Sequence, residues 1–441
     1  MDPKASPARG RRRGPGPFRL LGTLAAFTDE LVLAGLALFL FVVAANTQTG
    51  WLYVVVSLIA GLLVLSWLLT RATLRDLQVV RPAEVRLGQG EPARLELEVR
   101  NPSARERWMV ALEERLPETL PGPGRARIFL IDRIPARGSV RVSYEVEATL
   151  RGHHLLPPVR LRTRAPLGFF PAERTVPAPG RLVIYPRGPR LRANPLRNVM
   201  PRRSVRQRTF ARAGSSEDLQ GLRPYTPGED IRYIHWAATA RTGELIVREF
   251  RESGSQGLAI LLDNGPGSQV GRLPDTPLER AVAAATSLTE YAHHSGLPLV
   301  ILRQKEGRLA ALRNPRLEEA LDLLAGVQPE GEWEWRHLLG EAVDLVPPGS
   351  HLFLLACRPL LDLHLLEPLR ARQVRLSAVL FPAARYAAAA GVAFQGPGEE
   401  EFRRSLSLLQ EAGVVATLHG PGDDLLESLQ PGPEARRGGR R

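Results

Sequence analysis

Residues 31–70 contain no charged side chain. A helix needs about 20 apolar residues to cross a hydrocarbon core of ~30 Å, so this run is long enough for two crossings and commits the 441-residue chain to a membrane. The apolar stretches LVLAGLALFLFVVAA (31–45) and WLYVVVSLIAGLLVLSWLLT (51–70) are separated only by residues 46–50. That layout predicts a two-helix transmembrane hairpin with a short polar turn, whose first helix recruits residues 26–28 and brings Asp29 and Glu30 to the interface. A secretory leader is the competing reading. It is disfavoured because the n-region would be about thirty residues long, would contain acids, and would precede a second apolar span.

Arginine placement sets the orientation. Arg9, Arg11, Arg12, Arg13 and Arg19 precede the hairpin, Arg71 and Arg75 follow it, and none lies in the turn. Positive charge stays on the cytoplasmic side, so the expected location is the cell inner membrane, multi-pass, with both termini cytoplasmic. The formal charge of +13 comes almost wholly from arginine, since Lys4 and Lys305 are the only lysines. That bias reflects a GC-rich genome and is discounted as a nucleic-acid signal. The single cysteine, Cys357, excludes an internal disulfide and fits a reducing compartment.

Between residues 77 and 185 the pattern changes to short runs with turn residues between them: LQVV, ARLELEVRNP, WMVALEERLP, RIFLI, SVRVSYEVEAT, PVRLRTR and RLVIYP. Leu95, Leu97 and Val99 alternate with Arg94, Glu96 and Glu98, the period of a strand with one wet face. Seven or so such strands suggest an antiparallel β-sandwich. His153 and His154 are adjacent, so a strand would point them to opposite faces; they are read as solvated turn residues rather than metal ligands. PLGFF (166–170) is an apolar loop that is either packed or exposed.

Residues 181–212 hold ten arginines and no acid, broken by Pro186, Pro189, Pro195 and Pro201. An irregular segment is expected, either simply solvated or in contact with anionic lipid heads or an acidic partner. Then comes GLRPYTPGEDIRYIHWAATARTGELIVREF (221–250). Tyr225, Thr226, Pro227 and Gly228 form a turn. Asp230 stands as N-cap or first-turn acid before a short helix, whose face carries Ile231, Ile234, His235 and Ala238. Gly243 caps its C-terminus, and ELIVREF is a strand. No serine or cysteine nucleophile stands beside His235, and nothing is spaced to chelate a metal with it. Arg223, Arg232, Arg241 and Arg248 can pair with Glu229, Asp230, Glu244 and Glu249, with Tyr233 and Trp236 adding apolar area. The stretch is therefore read as a clasp or binding surface, not an active site, with Arg223, Tyr225, Pro227, Gly228, Asp230, Arg232, His235, Trp236 and Arg241 as its candidate interface residues.

This run resembles the signature of the domain-of-unknown-function 58 family, bacterial membrane proteins often encoded beside MoxR-type AAA+ ATPases and von Willebrand factor A proteins. The upstream RGHHLLPPVRLRTRAPLGFF is similar to the same family, with Ala165 where an Asp is common before the Pro. The family has no established activity, so the resemblance implies partners, a MoxR-type ATPase and other von Willebrand factor A proteins, rather than chemistry.

Beyond residue 256, GLAILLD, PLVILR, HLFLLAC, VRLSAVL and VVATLHG alternate with amphipathic segments. Doubly buried strands of this kind specify a parallel sheet covered on both faces. This α/β domain resembles the von Willebrand factor A fold. In that fold the loop after the first strand reads Asp-x-Ser-x-Ser and holds a divalent cation through oxygen atoms. Here Asp263 is followed by Gly265 and Gly267, which offer no side-chain oxygen, and HLFLLAC leads into Arg358 instead of an acidic loop. No metal or other cofactor is expected; Asp263 and Ser268 are the weak candidates for a metal. Gly265, Gly267 and Gly271 make a degenerate dinucleotide fingerprint, one residue too long, and the helix starts only near Thr276. His293 and His294 end that helix, where cations favour the dipole. No P-loop, nucleophile elbow or H-E-x-x-H motif exists in the chain.

The expected organisation is a basic cytoplasmic tail (1–28), transmembrane hairpin (29–72), β-sandwich (73–185), basic connector with the signature (186–255), von Willebrand factor A-like domain (256–430) and basic disordered tail (431–441). The expected function is a membrane-anchored, non-enzymatic adaptor that presents cytoplasmic domains to protein partners. The rival is a hydrolase or nucleotide- or metal-dependent enzyme using the Asp263 loop with Asp230 and His235. A weaker third reading, nucleic-acid binding through 181–212, would show in its salt dependence.

Overall fold

A computed structural model of the protein describes residues 28–117, 126–191, 195, 218–224, 235–251 and 257–430. The expected tails at 1–28 and 431–441, apart from Thr28, and most of the basic connector lie outside the described residues. The chain divides into two compact units: Met1–Val85, Pro92–Glu147 and His154–Leu182 form one, and Arg86–Glu91, Ala148–His153 and Val183–Arg441 the other.

The first unit opens with helices α1 (Thr28–Thr47) and α2 (Gly50–Leu74). They lie side by side, with the rings of Phe41 and Tyr53 edge to face at 6.1 Å. Among the described residues α2 is the one helix long and apolar enough to cross a membrane, with a mean hydropathy of 2.5. Among the described residues the apolar part of α1, Val32–Thr47, is shorter than the 18 residues such a span needs. At the other end of α2 the Arg71 guanidinium lies 4.1 Å from the Trp67 ring centroid.

Ten strands follow among the described residues, most of them in the first unit: β1 (Gln78–Val80), β2 (Glu84–Gly88), β3 (Pro92–Arg100), β4 (Arg107–Arg115), β5 (Ala126–Ile134), β6 (Ser139–Glu147), β7 (Gly152–Leu155), β8 (Val159–Thr163), β9 (Ala172–Val176) and β10 (Arg181–Tyr185). They form antiparallel sheets of order β1-β3-β6 and β5-β4-β8-β9, and a further small sheet, β2-β10-β7. The alternation in β3 is as expected, with Ala93, Leu95, Leu97 and Val99 buried. Seven of these strands are as expected, and β2, β7 and β9 are additional. β7 and β9 carry one large apolar residue each, too few to show an alternation. The expected turn at the histidines is a strand. His153 and His154 do face opposite ways, but from strand β7 rather than a turn, and His154 is buried.

In the second unit, β11 (Asp218–Pro224) pairs antiparallel with β12 (Ile246–Arg251), and the short helix α3 (Trp236–Thr242) lies in the connection between them. Then come β13 (Leu258–Leu262), α4 (Pro277–His294), β14 (Leu299–Lys305), β15 (Arg308–Arg313), α5 (Leu317–Ala325), α6 (Trp335–Leu345), β16 (His351–Ala356), α7 (Glu367–Ala371), β17 (Arg375–Leu380), α8 (Ala383–Ala390), α9 (Glu399–Glu411), β18 (Val415–Leu418) and α10 (Leu425–Leu429). The six-stranded sheet has the order β15-β14-β13-β16-β17-β18. It is mixed, not all-parallel: β15 turns back on β14 through Glu306 and Gly307, both at positive φ (49° and 69°). Two residues of that conformation make the tight hairpin that suits the twist of paired strands.

Alternate residues of β13 feed two separate cores. Leu258, Ile260 and Leu262 pack with Leu278, Ala281 and Leu288 of α4, while Ala259 and Leu261 belong with Trp335 and Leu339 of α6 and Phe402 of α9. Helix α4 begins where expected, with Pro277 in its first turn and the Thr276 hydroxyl accepting the Glu279 N–H at 3.3 Å.

Candidate functional site

Strand β13 has β14 on one side and β16 on the other, so the chain leaves it in opposite directions. In an open parallel sheet a ligand crevice forms at that reversal, beyond the carboxyl ends of the strands. Asp263 directly follows β13, and Cys357 and Arg358 directly follow β16. The Asp263 side chain is fully buried. Arg358 Nη2 lies 2.7 Å from Oδ1, and Arg358 Nε lies 3.1 and 3.2 Å from the two oxygens. The N–H of Cys357 donates to Oδ2 at 3.1 Å, and that of Gly265 to Oδ1 at 3.2 Å.

Arg358 is itself held. Its Nη1 donates to the Trp333 carbonyl at 2.7 Å, and its guanidinium lies 5.6 Å from the Trp335 ring centroid. Gly265 makes room for it: a Cβ there would sit 2.8 Å from the guanidinium carbon. The glycine that removes a hydroxyl from the loop is thus the residue that admits the arginine. Asn264 pins the same loop sideways, donating to the carbonyls of Gln304 (2.9 Å) and Gln328 (2.8 Å) and accepting from the Gln304 N–H at 3.1 Å.

With both oxygens engaged by N–H donors and the charge matched by a guanidinium, Asp263 is in no position to act as a base or to hold a cation without first displacing Arg358. Ser268 is buried, its backbone N–H bonded to the Gly265 carbonyl at 3.3 Å; its Oγ meets no hydrogen-bond partner among the described residues. Burial pushes the Cys357 thiol well up from its ordinary value, and the neighbouring Asp263 charge pushes it further, so it stays protonated and unreactive.

The signature is described in part. Tyr225, Pro227, Gly228, Asp230 and Arg232 lie outside the described residues, and so does the Arg223 side chain, although its backbone pairs in β11 opposite Val247. The helix begins at Trp236, later than the pattern suggested, and its N-cap is His235: Nδ1 accepts the Ala238 N–H at 3.0 Å. This bond satisfies one of the donors that a first helical turn leaves without a partner. Gly243 caps the other end at φ 77°, as expected. Trp236 does not supply buried apolar area; it is 66% exposed. Arg241 and Glu244 are exposed too, and among the described residues no carboxylate lies within ion-pair distance of Arg241.

A buried ion pair stands outside the signature. Arg151, at the start of RGHH, is buried and pairs through Nη1 with Glu279 in the first turn of α4. Its Nε donates to the Leu324 carbonyl at 3.2 Å and its Nη2 to the Val327 carbonyl at 2.8 Å, where α5 ends. One guanidinium thus ties the segment at 148–153 to an acid at a helix start and to carbonyls at a helix end. Burial lowers the Arg151 pKa and raises that of Glu279, against the pull of their mutual attraction. His153 adds a contact, Nε2 lying 3.1 Å from Asp322 Oδ1. The only available signal was the likeness of RGHHLLPPV to a family stretch, because nothing in a lone arginine marks it as buried.

Residues 221–311, from within β11 to within β15, match the family described as "Protein of unknown function DUF58". The chain carries a DUF58 segment. It is also similar to the uncharacterized protein YeaD of Bacillus subtilis (strain 168), at 28% identity over 132 residues, covering 28% of this chain and 31% of that one. The match therefore spans about a third of the relative's length. Among solved structures, the CARDB domain of the PF1109 protein from Pyrococcus furiosus, in complex with di-metal ions, aligns at a TM-score of 0.19 and 12% identity, over 25% of this chain and 87% of that one. The alkylpurine DNA glycosylase AlkC of Pseudomonas fluorescens aligns at 0.15 and 16%, over 31% and 40%. Likenesses of that size carry no argument. The DUF58 segment contains both the exposed helix α3 and the Asp263 loop.

Proposed function

We propose that this protein is a membrane-anchored, non-enzymatic adaptor whose cytoplasmic part engages a MoxR-type AAA+ ATPase and companion von Willebrand factor A proteins. The observation that carries the reading is the state of Asp263. At the crevice where an α/β sheet would do chemistry, its carboxylate is saturated by Arg358 and two backbone N–H groups. The α/β domain is, in this reading, a von Willebrand factor A-like fold in which an arginine closes the cation position. The rival enzyme would use the same carboxylate with His235, which is itself committed to capping α3.

Partner binding is further supported by Trp236 and Arg241, which are exposed on a self-capped helix. Tryptophan and arginine are the residue types most enriched where binding energy concentrates. Both α1 and α2 cross the inner membrane in this reading, α1 completing its span with residues before Val32, and the β strands at 73–185 form a sandwich on the cytoplasmic side.

The test is binding of a purified MoxR-type ATPase from the same organism to the full chain in nanodiscs. Wild type should bind, and Trp236→Ala should weaken binding by at least about tenfold, the loss of a ~1.4 kcal/mol contact. Absence of binding, together with a nucleotide or ester turnover that Asp263→Asn abolishes, would overturn the adaptor in favour of the enzyme. Reporter fusions after residue 75 should read cytoplasmic, and a periplasmic signal there would reverse the topology.

A further inference from the structure

The six-stranded sheet has two edges, and they are finished differently. At one of them β18 is closed by its own neighbours: Gln410 of α9 donates from Nε2 to the Ala416 carbonyl at 3.1 Å, and the Thr417 hydroxyl donates to the Ser428 carbonyl at 2.9 Å. At the other stands β15, paired only with β14. The Asn314 N–H donates to the Leu299 carbonyl at 2.7 Å, and this fixes which residues of the ladder bond. Arg308, Ala310 and Leu312 bond towards β14, while the N–H and C=O groups of Leu309, Ala311 and Arg313 point away from it. Among the described residues no hydrogen bond reaches those outward groups.

Only the edge is open. Leu309 and Ala311 pack with Trp335 and Leu339 on the α6 side of the sheet, and Leu312 packs on the α4 side. From α5 to α6 the chain passes over the carboxyl ends of β13 and β14, where the Gly331 N–H bonds to the Asn264 carbonyl at 2.9 Å and the Trp333 N–H to Gln304 Oε1 at 3.2 Å. It does not run along β15. An edge of this kind accepts an extended backbone, which supplies the missing donors and acceptors.

Charge decides which backbone. Residues 307–317 hold Arg308, Arg313 and Arg316 and no acid. Arg308 and Arg313 are exposed at the two ends of β15, and among the described residues no carboxylate lies within ion-pair distance of either; the neighbouring Lys305 is already matched by Glu306 at 3.7 Å. A second copy of this edge would repeat the same arginines, whereas an acidic strand would neutralise them. Arg308 shares a face with Ala310 and Leu312, and Arg313 shares the other with Leu309 and Ala311. A strand lying opposite therefore presents its two acids five positions apart, on opposite faces.

We propose that the outer edge of β15 is a docking site for an extended acidic segment of a partner protein, which adds a strand to the sheet and sets carboxylates against Arg308 and Arg313. The site is separate from the α3 contact of the adaptor reading and does not depend on it.

The test uses the full chain in phosphatidylcholine nanodiscs and the fluorescein-labelled peptide GGEVTVTEGG, read by fluorescence anisotropy. This peptide should bind saturably, and GGKVTVTKGG should bind at least about tenfold more weakly, because two exposed pairs become two repulsions. Methylating the four central backbone nitrogens of the acidic peptide leaves its charge intact and should also weaken binding by about tenfold or more. Ala311→Pro removes an outward N–H without removing a bond to β14 and should have the same effect. Arg308→Glu with Arg313→Glu should reverse the preference, so that the lysine peptide binds better. Circular dichroism checks the fold of each variant; if Ala311→Pro is not folded, the methylated peptide and the charge reversal decide. Equal binding of the methylated peptide means charge attraction without strand pairing and overturns the proposal. An unchanged preference in the double-glutamate variant, or no binding of the acidic peptide to wild type, overturns it too. Dimerisation in detergent that Ala311→Pro abolishes would mean that a second copy occupies the edge, and is likewise incompatible with it.

Discussion

Replacing Arg358 with leucine tests whether the Asp263 centre is held by its internal cation. The substitution leaves a fully buried carboxylate with only the N–H groups of Cys357 and Gly265. Removing one partner of a buried pair costs about 3–5 kcal/mol, because the other charge remains desolvated and alone. Cys357 is the natural reporter: it is the only cysteine in the chain, it is buried, and its N–H bonds the same carboxylate. Thiol labelling under native conditions proceeds through local opening of this strand end, at a rate set by the opening free energy. With 1.4 kcal/mol per factor of ten, Arg358→Leu should label roughly two to four orders of magnitude faster than wild type.

One further result must accompany that one. Asp263→Asn combined with Arg358→Leu removes both charges and should recover much of the protection, since a neutral replacement of a buried pair is far less costly than half a pair. Labelling within threefold of wild type for Arg358→Leu, or no recovery in the double variant, would refute the lock.

Arg151→Met should lower stability by about 3–5 kcal/mol by stranding Glu279, seen as a lower thermal midpoint of the full chain, with partial recovery when Glu279→Gln is added. His235→Ala should cost the cap of α3 roughly 0.5–2 kcal/mol and speed amide exchange across residues 236–242, whereas His235→Asn should retain protection. Burial, helped by Arg375, holds His351 down at about 3, and burial, helped by Arg280, holds His419 at about 4. Between those values and the ordinary 6.5 the unfolded chain binds more protons than the folded one, so stability is lost as pH drops through this window, by about 2 kcal/mol per histidine at pH 5. Denaturant midpoints at pH 7 and pH 5 should show the loss, and His351→Gln should remove roughly half of it.

Much of the architecture can be read from local sequence because its cause is local. An uncharged run of forty residues dictates apolar helices, the alternation around Leu97 dictates a strand with one buried face, and Thr276-Pro277 starts a helix wherever it lies. Gly243 reads as a helix stop because few other residues adopt φ 77° without strain. Strands β7 and β9 escaped because each carries a single large apolar residue, on which no period can be built, and β15 because its hairpin turn sits in a segment otherwise read as part of a strand–helix alternation.

The centre could not be read in this way. Sequence identified Asp263, the glycines after it and Arg358 as departures from a cation loop, 95 residues separating the acid from the arginine. It did not say that they answer one another. Only the pairing of β13 with β16 places the ends of those strands side by side, so that Gly265 clears the space and Arg358 fills it. The same holds for Arg151, whose carboxylate and carbonyl partners lie 128 to 176 residues away. Desolvation is a property of the assembled neighbourhood, so sequence can name the charged residues, while tertiary structure decides which of them are buried and what each one meets.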